Sequence, residues 1–204
     1  MSPERYGAVC WVGFHRAAPT RRETRRIVGI VEQLQFHPMT DEVDDYRPDS
    51  RWAFAVDPGG VGGRHVDLGV VYEFIAPGDR IPLHRHKIDE VVLILDGSAE
   101  VRLGEETRRV SGGTTVFIPA GVVHGTTNVG DIDIRFVAVF PSTTVNMDLL
   151  ERNPASGTED RDAVHTEWDM RTGTITILDK YGAPTGEVLH SDAAPPEHKA
   201  GARA

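Results

Sequence analysis

Apolar and polar residues are distributed unevenly along the chain, in three zones. Residues 66–142 are dense in short β-branched runs: "VDLGVVYEFIAPG", "EVVLILDG", "SAEVRLG", "GGTTVFIPAGV" and "IDIRFVAVFP". Pro-Gly, Asp-Gly and Gly-Gly turns punctuate them, and no stretch between them carries a helical period. Short strands recurring at such spacing predict an all-β antiparallel sandwich or barrel. Residues 1–65 are mixed. Thr20 and Glu23 fit a capping box, and Ile27, Ile30, Val31 and Leu34 follow at helical spacing, which predicts an amphipathic helix near 20–36. Residues 143–204 turn polar again. "WDMRTGTITILDKYG" reads as a hairpin with Thr174–Leu178 as a strand, and "SDAAPPEHKAGARA" reads as a disordered tail.

Composition narrows the setting. A chain of 204 residues is one domain with extensions, and a formal net charge of -9 argues against nucleic acid as a partner. Cys10 is the single cysteine, so no internal disulfide and no cysteine-rich zinc motif is available; a cytoplasmic location is the simplest expectation. No apolar run approaches the ~18 residues that span a bilayer, so no membrane association is expected. The glycine-rich "DPGGVGGRH" does not match a dinucleotide-binding pattern and reads as a turn.

The chemistry concentrates at the start of one strand. In "GDRIPLHRHKIDEVVLILDG", His84, His86 and Glu90 share a parity with Val92 and Ile94, so their side chains leave one face of an extended chain. His124, just after the turn in "PAGVVHGTTN", is the candidate for a fourth partner from another strand. A lone interior histidine is usually hydrogen-bonded core. Three neutral imidazoles and a carboxylate together carry a charge of -1 and suit a divalent first-row transition metal: iron, manganese, nickel, copper or zinc.

Two spacings sharpen this. Gly78, His84, His86, Glu90 and Gly97 fit G-x5-H-x-H-x3-E-x6-G, and Gly113, Pro119, Gly121, His124 and Asn128 fit G-x5-P-x-G-x2-H-x3-N. These are the two motifs of the cupins, and over roughly 66–142 the sequence resembles a member of that superfamily carrying a single motif pair. The resemblance implies a double-stranded β-helix (cupin, or jelly-roll) barrel, a metal held by His84, His86, Glu90 and His124, and a homodimer with N-terminal segments packed across the interface. The flanks, 1–65 and 143–204, lie outside it.

Given such a barrel, parity predicts a mostly apolar pocket for a small-molecule substrate. Tyr72 and Phe74, Phe136 and Ala138, and Val92 and Ile94 are expected to line it, with Glu73 and Arg135 facing solvent. Tyr72, as a phenol near the metal, and Glu90, as a general base, are the candidate catalytic groups. The expected function is a metal-dependent enzyme acting on a small organic molecule, with dioxygenase chemistry placed slightly ahead of cyclase, isomerase or lyase chemistry. The alternative is a non-catalytic small-molecule-binding barrel or partner subunit with a structural metal.

Overall fold

The computed structural model describes residues 29–40, 44–58 and 65–191. Fourteen strands make up its regular structure: β1 (His37–Met39), β2 (Arg47–Val56), β3 (Gly69–Ile75), β4 (Arg80–Arg85), β5 (Glu90–Asp96), β6 (Ser98–Leu103), β7 (Glu106–Ser111), β8 (Thr114–Ile118), β9 (His124–Asn128), β10 (Ile134–Phe140), β11 (Thr144–Leu149), β12 (His165–Asp169), β13 (Thr174–Leu178) and β14 (Pro184–His190). They form a six-stranded sheet in the order β1-β2-β3-β10-β5-β8 and an eight-stranded sheet in the order β14-β13-β12-β11-β4-β9-β6-β7. Every strand pairing within them is antiparallel. The all-β jelly-roll expectation holds. Among the described residues no helix is long and apolar enough to cross a membrane.

The core fills the space between the two sheets. Along β5 the inward positions Glu90, Val92 and Ile94 are buried while Val91 and Leu93 are half-buried, the alternation a pleated strand imposes. Ile75, Ile94 and Ile134 are fully enclosed, with Met39, Trp52, Phe54, Phe136 and Phe140 around them. Both flanks of the motif region join the sheets. β2 runs beside β3 from Arg51↔Phe74 to Val56↔Gly69, and β11 meets β4 at Leu149↔His84.

Two expectations need correction. Of the helix placed near 20–36, residues 20–28 lie outside the described residues. Residues 29–36 are not helical: Gly29 and Gln33 take φ values of 83° and 56°, which a right-handed helix does not contain. Ile30 and Val31 are exposed, and Phe36 stacks edge-on against Phe74 at 5.1 Å. Residues 59–64 of the glycine-rich turn and 192–204 of the expected tail also lie outside the described residues.

The second correction concerns β3. Directly opposed residues on paired strands share a face, and the register sets Glu73 opposite Phe136 and Tyr72 opposite Val137. Val71, Glu73 and Ile75 are therefore the inward set, and Tyr72 and Phe74 lie on the outer face. Both faces of this strand are apolar enough that hydrophobicity does not choose between them. Glu73 is tolerated inside because Arg47 meets it there.

Tight glycine turns close the strand pairs. Gly97, between β5 and β6, has φ 87°, and a Cβ there would lie 2.9 Å from Ile134 Cα and 3.0 Å from Asp133 O. Gly113, between β7 and β8, has φ 89° with nothing within 4 Å. Gly113→Ala carries only the left-handed backbone penalty, about 1 kcal/mol. Gly97→Ala adds a clash with backbone and should cost about 2–4 kcal/mol. Urea unfolding of the two variants is expected to show that order; equal losses would mean the turn at Gly97 has room the structure does not show.

Candidate metal centre

The sequence places three histidines at strand ends and the backbone aims them. His84 lies directly opposite His124 on neighbouring strands β4 and β9, which brings their ring centroids to 4.1 Å. The β4–β9 register shifts between Ile81 and His84, around Pro82, which has no N–H to give the ladder. His86 follows the end of β4, and Glu90 opens β5. The loop between them is tied down twice: Gly121 N–H donates to His86 O (2.7 Å), and Ala120 N–H donates to Asp89 Oδ1 (2.9 Å). The turn that precedes His124 is thereby fixed to the loop that carries His86.

Each imidazole is locked through Nδ1. His84 Nδ1 lies 2.7 Å from Pro82 O, His86 Nδ1 2.5 Å from Asn146 O, and His124 Nδ1 2.9 Å from Val122 O. A carbonyl only accepts, so Nδ1 carries the hydrogen in all three rings, and Nε2 of each neutral ring is left as a bare lone pair. The ligand atoms of His84, His86, Glu90 and His124 all lie within 4.8 Å of one another, and all four residues are buried.

Glu90 Oε2 sits 2.9 Å from His124 Nε2 and 3.4 Å from His86 Nε2. Despite that closeness, Glu90 Oε2 and His124 Nε2 are buried with no aligned hydrogen-bond partner. Lone pairs converging in a desolvated space are unfavourable unless a cation or a proton lies between them. Burial, reinforced by the neighbouring His124 and His86, drives the pKa of His84 well below its usual 6.5, and burial also lowers that of His86. The neutral imidazole so favoured is the form that binds metals. These residues fit a divalent transition metal in donor type, burial and tautomer.

Asn146, on β11 outside both motifs, was not foreseen. Its backbone oxygen holds His86, and its side-chain oxygen accepts from Lys87 N–H at 2.7 Å. No sequence signal separates it from an ordinary strand asparagine. Asn128, the last residue of the second motif, is a fastener away from the centre: its Nδ2 donates to Ile75 O and Ile132 O, both at 2.8 Å.

The four residues open on a cavity of about 70 Å³. Its walls include Val92, Phe136 and Ala138, as parity predicted, together with Met39, Trp52, Phe140, Met147 and Trp168. Tyr72, Phe74 and Ile94 are not among the lining residues, Ile94 being enclosed in the core, and Glu73 is. Arg135 is exposed, beside Asp96 at 3.5 Å. A second buried polar group stands in the wall: Arg47 donates through Nε and Nη2 to both oxygens of Asp45 (2.7 Å each) and through Nη1 to Glu73 Oε1 (2.5 Å). Burial alone would lower the Arg47 pKa, but the two carboxylates more than offset it and raise it. Burial raises the pKa of Glu73, against the pull of Arg47.

Residues 71–140 match the cupin domain family. An uncharacterized protein of Streptomyces coelicolor is 38% identical over 55 residues, which is 27% of this chain and 51% of that one. Dimethylsulfoniopropionate lyase DddW of Ruegeria pomeroyi is 29% identical over 107 residues, 52% of this chain and 68% of the lyase. The chain thus spans about half the length of the Streptomyces relative. Among solved structures, the plu4264 protein of Photorhabdus luminescens aligns with a TM-score of 0.44 at 20% identity, over 54% of this chain and 86% of that one.

The buried histidines give a direct test of the tautomer argument. In chelator-treated protein the ring protons of His84 should titrate well below pH 6.5, so that His84 is neutral where a solvent-exposed histidine is half protonated. An NMR titration showing His84 at or above 6.5 would mean that the ring is hydrated and the centre open.

Proposed function

We propose that the protein is a metal-dependent enzyme acting on a small oxygen-bearing organic molecule, with one divalent transition metal held by His84, His86, Glu90 and His124. The observation that carries this is the pair of partnerless buried acceptors, Glu90 Oε2 and His124 Nε2, at the point where three fixed imidazoles converge. A divalent ion there supplies Lewis acidity, and with iron or another redox-active metal it also supports oxygen-dependent chemistry. The chain's own contribution is a mostly apolar chamber with four fixed donors. Dioxygenase-type oxidation is the first branch to test, since a redox-active ion held by His84, His86, Glu90 and His124 would supply oxygen-dependent chemistry. The similarity to a protein named as a lyase favours elimination as the second.

Elemental analysis of protein purified without chelator should find about one transition metal per chain, lost in His124→Ala. Iron, manganese, copper or nickel with substrate-dependent oxygen uptake supports oxidation; zinc without oxygen uptake supports elimination, isomerisation or cyclisation. Failure of the wild type to retain any metal after reconstitution would remove the enzyme reading in favour of a binding barrel.

We also infer a homodimer built on the outer face of the six-stranded sheet. The register aligns two rows across it: Ala55, Val70, Val139, Val91 and Phe117, then Ala53, Tyr72, Val137, Leu93 and Thr115. Phe117 is 71% exposed. At about 4.8 Å per strand the apolar face covers on the order of 400 Å², large enough to mark an interaction site. An apolar sheet face of this kind can meet its own copy about a two-fold axis. Arg51–Asp133 and Arg135–Asp96 ion pairs at one margin give it a polar rim. Sedimentation should give twice the chain mass for the wild type and the chain mass for Leu93→Glu, with metal content unchanged. A monomeric wild type would refute this.

A further inference from the structure

The Arg47–Asp45–Glu73 cluster lies outside the four-residue centre, and the proposed chemistry leaves it unused. Ion clusters of this kind are costly to bury, several kcal/mol for each charge before partners compensate. Asp45 already satisfies Arg47: it takes Nε and Nη2, and its Oδ1 also accepts from Asn153 Nδ2 at 3.0 Å. That pair alone ties β2 to the segment after β11. Glu73 adds a carboxyl group from the opposite strand. Its bond to Arg47 uses Oε1, and Glu73 is one of the residues that line the cavity.

We propose that Glu73 is a ligand-binding residue of the cavity, whose Oε2 hydrogen-bonds a hydroxyl group of a small phenol- or enol-type molecule reaching the four-residue centre. The inference rests on the reading of that centre as a metal site. The walls select the class first: Trp52, Phe136 and Trp168 offer flat apolar surface on which an unsaturated ring or chain packs. Trp168 Nε1 is a buried donor without a partner, so the same chamber also asks for an oxygen acceptor.

Charge selects next. Arg47 is neutralised by Asp45, so the cluster presents no free cation for a phosphate or a dicarboxylate. A hydroxyl both donates and accepts. It therefore complements Glu73 as carboxylate and as carboxylic acid, the latter being the form that burial favours. Arg47 supports the arrangement by holding Oε1, which fixes the direction of Oε2.

Catechol is a suitable probe, and its dimethyl ether veratrole, which has no hydroxyl, is the control. Calorimetric titrations would compare zinc-loaded wild type with Glu73→Gln, in which the amide oxygen still accepts from Arg47 while the amide nitrogen replaces Oε2. Catechol affinity should fall about tenfold or more, while zinc content, melting temperature and the much weaker veratrole affinity stay as in the wild type. Equal catechol affinities in the two proteins would overturn the proposal, as would a parallel loss for veratrole, which reports a general disturbance of the cavity. A protein that takes up no zinc would overturn the metal reading alone, and the same catechol comparison on zinc-free protein would still decide the role of Glu73.

Discussion

Three hydrogen bonds from histidine Nδ1 to backbone carbonyls govern what this barrel can do. Each bond fixes a tautomer, and together they turn three neutral rings into lone-pair donors aimed at one carboxylate. Two of the carbonyls, Pro82 O and Val122 O, come from two residues before the histidine they hold, so the local strand ends are enough to set them. The third, Asn146 O, comes from β11, sixty positions further on. The centre is complete only when the eight-stranded sheet has closed, so assembling the fold and assembling the site are the same event.

That dependence explains which parts were legible in the sequence. The four ligand candidates and the turns that aim them are local, and motif spacing with strand parity places them where the structure has them. Parity also holds along β5 and β10, because Glu90 and Phe136 anchor an inward face. It fails on β3, where "VVYEF" is apolar on both sides and the one charged residue misleads. Glu73 is inward because a guanidinium from β2 reaches it, and Arg47 sits in "DYRPDS", a stretch with nothing local to announce a buried ion cluster. The helical spacing of 27–34 misleads in another way. Its described part takes left-handed turns at Gly29 and Gln33, and Phe36 then packs on Phe74.

The same feature that hid Glu73 accounts for the outer surface. A sheet that is apolar on both faces has one face to spend on the core and another to cover. Tyr72 belongs to the second, with Val70 on the same strand, Val139 on β10 and Leu93 on β5 sharing that face. A strand that looks doubly buried in sequence therefore carries two separate demands: an interior that holds a polar site and an apolar exterior, the face proposed above for the dimer.

Charge accounting links the two polar groups inside. Arg47 and Asp45 cancel, leaving Glu90, and Glu73 when ionised, as the uncompensated charges of the cavity. A divalent ion held by the four-residue centre would bring the chamber to +1 with Glu73 neutral and to zero with it ionised. Burial raises the pKa of Glu73 against the pull of Arg47, so its carboxyl group is harder to ionise than one in water. The apolar walls of the cavity screen charge less than bulk water does. The carboxyl group of Glu73 on β3 thus bears on the charge that a ligand of the proposed metal centre would meet.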